Sequence, residues 1–181
     1  MNARDSSDLG PHSVLTINGG SSSLKVALYR IREEAVNIMA GAVTGIGAAQ
    51  GHMAARTAHG EALWEDRTVY ANHLVALEAF FEAMAKHVDF ASISAVGHRV
   101  VHGGPHFIRP QSLTAAVEAD LRKLIPLAPL HMPANLDGIT AARDRLPTAL
   151  QYACFDTSFH ADMPAVAQRT GVAPEMEGEF I

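Results

Sequence analysis

The chain has 181 residues, and 14 Lys and Arg against 19 Asp and Glu give it a formal net charge of −5 at pH 7, which disfavours nucleic acid as a partner. Hydrophobic residues make up 48% of the chain, enough for the core of one domain or two small ones. The single cysteine, Cys154, cannot form an internal disulfide, and no apolar run approaches the ~20 residues that span a bilayer. We therefore expect a folded cytoplasmic protein without a membrane partner, with a disordered polar tail over residues 1–13.

The first part of the sequence predicts a β-rich unit. Residues 14–18 form a β-branched run and residues 24–29 a second apolar run, with a glycine- and serine-rich turn between them. From residue 36 to residue 68, short apolar pieces are interrupted by glycines. This pattern indicates further antiparallel strands joined by turns.

The rest of the sequence mixes helices with strands. Apolar residues recur at steps of three and four between residues 71 and 87, which predicts an amphipathic helix. The remaining predicted elements are a strand at 93–101, a helix at 117–124, a helix at 134–143 entered through Pro133, and a strand at 149–155. This order of elements predicts a mixed α/β domain.

The turn from Asn18 to Lys25, with the sequence NGGSSSLK, is a candidate anion site. Small residues let the backbone approach a ligand, and serine hydroxyls and a lysine add donors. The turn is not a Walker A loop, because no glycine precedes Lys25, nor a nucleophile elbow, because Ser23 rather than glycine stands two residues beyond Ser21. An ordinary hairpin turn explains the same residues, so both interpretations stay open.

Arg99 lies in the stretch GHRVVHGG, where a predicted strand runs into a pair of glycines. From a strand end, its planar guanidinium can clamp carboxylate or phosphoryl oxygens, and a plain ion pair is the alternative. His98 and His102 suggest zinc, but the helical spacing and the glutamate of the metalloprotease motif are absent.

Two more polar residues stand at constrained positions. His131 lies between two prolines just before a predicted helix, so it can be held facing a site and donate to developing negative charge. A lone histidine in such a loop is more often structural. Asp156 follows a strand, where an acid can orient a partner, approach a metal ion or cap the next segment.

Taken together, these stretches resemble the signatures of the acetate kinase family, in the superfamily that also contains sugar kinases, Hsp70 and actin. The matching stretches are, in order, residues 17–25, 97–104, 127–135 and 155–160. Propionate kinases share the patterns, whereas butyrate kinases differ in the arginine motif. The resemblance implies an actin-like (ribonuclease H-like) N-terminal α/β domain, with a mixed β-sheet and flanking helices, over residues 14–160. Residues 161–181 would then begin the connection to a second domain, before which the chain is truncated.

The resemblance also implies roles at the nucleotide side of the site. The residues expected to contact the nucleotide phosphates are Asn18, Ser21, Ser23 and Lys25. Asn18 is in addition expected at the metal ion, which would be Mg²⁺ or Mn²⁺ and would accompany ATP as co-substrate.

At the carboxylate side, the resemblance implies that Arg99 binds carboxylate and phosphoryl oxygens. Val101 and Leu130 would form the small apolar pocket that receives the methyl group. His131 would stabilise charge on the transferring phosphoryl group, and Asp156 would interact with catalytic groups and the metal region.

The activity that the resemblance implies is the conversion of ATP and acetate to ADP and acetyl phosphate, by a family whose full-length members form homodimers. Met132 departs from the family, which usually has asparagine there. Because family members carry further catalytic groups in a second domain, we expect this N-terminal portion to be inactive alone and to self-associate. The alternatives are a propionate kinase, or a non-catalytic module that binds a small anion or a protein partner.

Overall fold

The computed structural model of the chain describes residues 12–168, in which strands and helices follow the hydrophobic patterning of the sequence. The strands are β1 (His12–Gly19), β2 (Ser23–Ile31), β3 (Ala35–Thr44), β4 (His52–Thr57), β5 (Ala62–Asp66), β6 (Ile93–Val100), β7 (Gln111–Ser112) and β8 (Leu150–Phe155). The helices are α1 (His73–Met84), α2 (Ala115–Lys123), α3 (Met132–Arg145) and α4 (Ala165–Gln168). No helix in this part of the chain is long and apolar enough to cross a membrane.

The eight strands form one mixed sheet in the order β5-β4-β3-β2-β1-β6-β8-β7. Pairing is antiparallel from β5 to β1 and parallel between β1, β6 and β8, while β7 closes the edge antiparallel to β8. The mixed α/β domain expected from the sequence is thereby confirmed. Because β1, β6 and β8 are parallel, their carboxyl ends meet at the same edge of the sheet.

Alternation along β2 shows how the sheet divides into two faces. Leu24, Val26 and Leu28 are buried, whereas Lys25 between them is exposed. Helix α1 packs against β2, and α3 packs against β1 and β6. These helices therefore cover the face that carries the buried residues, and the side chains of Lys25 and its neighbours in register lie on the opposite face, which we call the helix-free face.

Helix ends differ from the predicted ones where a capping residue decides the boundary. The side chain of Asn72 accepts a hydrogen bond from the Val75 N–H at 3.0 Å, so α1 begins at His73 rather than at residue 71. Helix α3 begins at Met132, two residues before the predicted start, because proline is tolerated in the first turn and the His131 carbonyl accepts a hydrogen bond from the Asn135 N–H.

Two strand boundaries also depend on tertiary pairing. Strand β1 begins at His12, which pairs with Ile31, so the strand includes the last two residues of the expected tail. Strand β7, which has only two residues and pairs with β8, is too short to show any period in the sequence. Residues 1–11 and 169–181, which contain most of the expected tail and of the expected connection, lie outside the described residues.

The glycine pair after β6 is required by packing. A Cβ atom added at Gly103 would lie 2.2 Å from the carbonyl oxygen of Phe107 and 3.0 Å from the ring of Phe155. Gly104 has a φ of 61°, in the left-handed region that L side chains rarely adopt. The turn that leads away from the end of β6 therefore favours glycine at these positions.

A buried polar pair joins β6 to β8 on the helix-covered face. The His98 Nε2–H donates to the Gln151 Oε1 atom at 2.7 Å, and both residues are buried. Burial lowers the pKa of His98 to about 4, and the hydrogen bond to Gln151 only partly opposes this effect. Nearby, Arg143 of α3 forms an ion pair with Glu118 of α2. His98 therefore stays neutral at physiological pH.

We predict that Gly103→Ala destabilises the fold by about 1 to 3 kcal/mol, since the new methyl group meets backbone that cannot move aside easily. Gly97→Ala in β6 is the matched control, because a Cβ atom there meets nothing within 4 Å. Urea denaturation of the two variants measures the difference. Equal stability of the two variants would show that the turn after β6 adapts freely.

We also predict a loss of stability as the pH falls from about 6.5 to about 4, because the unfolded chain protonates His98 in this window and the folded chain does not. The contribution of this histidine to the loss is about 3 kcal/mol once both states are compared below pH 4. The difference between the urea midpoints at pH 7 and pH 4.5 should be smaller in His98→Gln than in the wild type, because glutamine keeps a donor but does not titrate. An NMR titration of the wild-type ring that shows protonation near pH 6.5 would contradict the prediction.

Candidate active site

A row of polar side chains crosses the helix-free face near the carboxyl ends of the parallel strands. Lys25 of β2 pairs in register with Asn18 of β1, and Arg99 of β6 pairs with Cys154 of β8. Asp156 follows directly after β8. Paired residues on neighbouring strands point to the same side of a sheet, so the topology brings together groups from four strands.

Arg99 is the centre of this row. Its Nε–H donates to both carboxylate oxygens of Asp156, at 2.8 and 3.1 Å, and its Nη2 donates to the Asp156 Oδ2 atom at 2.6 Å. Its Nη1 donates to the Asn18 Oδ1 atom at 2.9 Å. The hydrogen bond and the charge of Asp156 raise the pKa of Arg99 above its ordinary value. The ion pair considered from the sequence is thus present, and the binding of a ligand by Arg99 stays a prediction.

The guanidinium of Arg99 keeps donors for a ligand. A guanidinium has five N–H groups, and the bonds to Asp156 and Asn18 engage the Nε–H, one N–H of Nη2 and one N–H of Nη1. One N–H on each terminal nitrogen therefore has no partner among the described residues. The side chain of Arg99 is 41% exposed, so these donors can reach a ligand from solvent. Such a held, charged donor pair suits carboxylate or phosphoryl oxygens.

The turn between β1 and β2 presents further donors beside Arg99. The Ser21 N–H and hydroxyl, and the Lys25 ammonium, form no hydrogen bond or ion pair with any residue that the structure describes. Ser23 starts β2, and its carbonyl accepts the Gly20 N–H at 2.8 Å. A groove of about 480 Å³ runs from Asn18 and Lys25 along the helix-free face. The turn is a hairpin connection that leaves these donors without a described partner, and its role as an anion site stays a prediction.

His131, Val101 and Leu130 lie around the start of α3 and the end of β6. The backbone of His131 occupies the N-cap position of α3, and its half-buried side chain makes no hydrogen bond with a described residue. Val101 packs against a buried apolar cluster that includes Met132 and Phe155, whereas Leu130 is 86% exposed. The groove of about 310 Å³ beside Leu130 is not lined by Val101, so the described residues do not bring these two side chains into one pocket.

The described residues do not build a cage for the divalent cation that the resemblance implies. The oxygen atoms available in the row belong to Asn18 and Asp156, and all three accept hydrogen bonds from Arg99. A cation beside this guanidinium would be repelled. No group of three or more His, Cys, Asp or Glu residues in residues 12–168 is arranged to hold a metal ion.

The two histidines that suggested zinc are engaged elsewhere. His98 points into the helix-covered side and bonds to Gln151. The His102 Nδ1 atom accepts the Gly104 N–H at 2.7 Å, which helps to close the turn after β6. His98 therefore links β6 to β8, and His102 stabilises the turn after β6. Asp156 likewise does not cap the segment that follows it, because its carboxylate is bonded to Arg99.

Two further residues near the site, His73 and Asn135, are not predicted as site residues by the sequence patterns. The His73 Nε2–H donates to the Gly20 carbonyl at 2.6 Å, and the Asn135 Oδ1 atom accepts the Val101 N–H at 3.2 Å. Asn135 lies at the end of a stretch that the sequence singled out, but His131 was preferred there. The signal for His73 was its place directly after the Asn72 cap, at the first residue of a helix.

Comparison with known proteins gives matches over most of the chain. Residues 13–181 match the model of the acetokinase family. The acetate kinases of Streptomyces griseus subsp. griseus and Sulfurovum sp. are 40% and 41% identical to the chain, over 91% and 86% of its length. These matches cover 41% and 39% of the two relatives, so the chain spans about two fifths of the length of the curated relatives it matches.

Solved structures of an acetate kinase and a propionate kinase also match the chain. The acetate kinase of Porphyromonas gingivalis matches with a TM-score of 0.81 and 33% identity, over 93% of this chain and 43% of that one. A propionate kinase from Francisella tularensis subsp. tularensis matches with a TM-score of 0.80 and 27% identity, also over 93% of this chain and 43% of that one. The expected actin-like α/β fold is thereby confirmed. Because the family model matches well over half of its residues, the chain belongs to the acetokinase family.

Proposed function

We propose that the chain supplies the acetate-binding half of an acetate kinase-type phosphotransferase, which converts ATP and acetate to ADP and acetyl phosphate. The observation that carries the proposal is the preassembly of Arg99 by Asp156 and Asn18, which leaves two charged donors directed outward. Membership of the acetokinase family supplies the reaction class. A structural ion pair alone would not require the uncommitted Lys25, which pairs in register with Asn18 beside it.

In this proposal, Arg99 binds the acetate carboxylate and orients one of its oxygens toward the γ-phosphorus of ATP. That oxygen forms the new P–O bond while the bond to the bridging oxygen of ADP breaks, so no protein nucleophile is needed. Negative charge in the transition state spreads over the equatorial phosphoryl oxygens. Fixed donors stabilise this charge without reorganising, which is the main contribution that a protein makes to phosphoryl transfer.

The turn from Asn18 to Lys25 binds the phosphate chain of ATP in the same proposal. The ammonium of Lys25 and the free N–H and hydroxyl of Ser21 are its donors. The groove lined by Asn18 and Lys25 provides space next to the turn. A divalent cation, Mg²⁺ or Mn²⁺, would accompany the nucleotide phosphates and would supply partial neutralisation of their charge. The described residues form no cage for that cation.

Propionate is the competing acceptor, because the propionate kinase of Francisella tularensis matches this fold almost as well as an acetate kinase does. The two acids differ by one methylene, which an apolar pocket distinguishes by about 1 to 3 kcal/mol. The ratio of kcat/KM for acetate and propionate decides between them. A ratio in favour of propionate would retain the reaction class and change the substrate.

The direct test measures acetyl phosphate formed from ATP, Mg²⁺ and acetate. The chain is assayed alone and joined to the part of the Streptomyces griseus acetate kinase outside the matched region. We expect no turnover by the chain alone and turnover by the joined protein. In the joined protein, Arg99→Ala should lower turnover by about 10³-fold or more with little effect on folding.

Arg109→Ala is the matched control, because Arg109 is exposed and its nearest anionic partner, Asp162, is 3.9 Å away. It should leave turnover unchanged. Wild-type kinetics in the joined Arg99→Ala protein would remove Arg99 from the site, and turnover that persists when acetate or propionate is omitted would contradict the proposed acceptor.

We predict that His131→Ala in the joined protein lowers kcat much more than it changes KM for acetate. The reason is that a donor to the transferring phosphoryl group interacts more strongly as charge builds up in the transition state. His59→Ala, at an exposed turn far from α3 in the sequence, is the control. A lower thermal midpoint with an unchanged kcat at low temperature would instead assign His131 a purely structural role.

A further inference from the structure

His73 connects the start of α1 to the turn between β1 and β2. Its ring is half-buried, and its Nε2–H donates to the carbonyl oxygen of Gly20 at 2.6 Å, across 53 residues of sequence. The helix does not need this bond for its own stability, since Asn72 caps it and Leu77 anchors it in the core one turn later. The bond therefore acts on the turn.

Because the peptide unit is planar, the hydrogen bond to the Gly20 carbonyl also fixes the direction of the Ser21 N–H. In a trans peptide, the carbonyl of one residue and the N–H of the next point in opposite directions. Because the Gly20 carbonyl is drawn toward His73, the Ser21 N–H in the same peptide unit points away from α1. This N–H has no partner among the described residues, so the anchor leaves it free for a ligand.

The turn is held at other points as well. The Ser22 carbonyl accepts the Ile46 N–H at 3.1 Å, and the Gly20 N–H donates to the Ser23 carbonyl at 2.8 Å. A Cβ atom at Gly19 would lie 3.6 Å from Asn135 Nδ2 and 3.9 Å from the His73 ring, so the backbone rests against both side chains. Because the carbonyls of Gly20, Ser22 and Ser23 all accept hydrogen bonds, the turn has little freedom to rotate its peptide units.

We propose that His73 is a positioning residue, which holds the Gly20 carbonyl so that the Ser21 N–H faces a phosphate oxygen of the bound nucleotide. This inference rests on the proposed binding of nucleotide phosphates by the turn. Preorganised backbone donors bind an anion more tightly than donors that must first be ordered. His73 itself touches the turn and not the ligand.

The test uses the 181-residue chain and two probes, MgATP and tripolyphosphate, with the amide resonances of Ser21 and Ser22 followed by NMR. His73→Gln keeps an N–H donor at nearly the same place, whereas His73→Leu and His73→Ala remove it. We expect the donorless variants to bind both probes about 3- to 10-fold more weakly, the effect of one lost hydrogen bond. His73→Gln should bind as the wild type does, and so should the control His59→Leu.

The outcomes distinguish the positioning role of His73 from the binding of phosphate by the turn, on which that role rests. Equal affinity of the wild type and both donorless variants, with saturable shifts at Ser21, would overturn the role of His73 and retain phosphate binding. Weakening in His73→Gln as large as in His73→Leu would show that the donor is not what matters, which also overturns it. Absence of shifts at Ser21 and Ser22 in every protein would overturn both the phosphate role of the turn and the inference.

Discussion

The hydrogen bonds of Arg99 to Asp156 and Asn18 are the interaction on which the site depends. The three residues come from the ends of β6, β8 and β1, which are adjacent only because the sheet has a parallel centre. An arginine side chain has many rotamers, and a ligand that had to order it would lose binding free energy. Here the ordering is accomplished by folding, and the free donors of Arg99 already face solvent.

The electrostatics of the site differ from those of the chain as a whole. The chain carries a net charge of −5, yet Lys25 and Arg99 stand in one row with Asp156 as their anionic neighbour. At physiological ionic strength the Debye length is about 8 Å, so distant acidic side chains are largely screened from a ligand at the row. The local excess of positive charge, rather than the net charge, governs the attraction of carboxylate and phosphate.

Much of the fold follows from local patterns, whereas the contacts of the site do not. Alternation in β2 and the apolar period in α1 were sufficient to predict both elements. The sequence left Arg99 between a clamp and an ion pair, because Asp156 lies 57 residues away and no local pattern reports pairing at that distance. The bond from His73 to Gly20 was not predictable for the same reason: it depends on where α1 crosses the sheet.

His98 and Arg99, which are adjacent in the chain and lie on opposite faces of the sheet, help to fix the register of β6 against β8. His98 faces the helices and bonds to Gln151, while Arg99 faces the helix-free side. If β6 slipped by one residue against β8, the two side chains would exchange faces. A guanidinium would then be trapped beneath α3 without its carboxylate, a severe desolvation penalty, and Gln151 would lose its buried partner. The residue proposed to bind substrate thus also disfavours misregistered folding of the sheet that carries it.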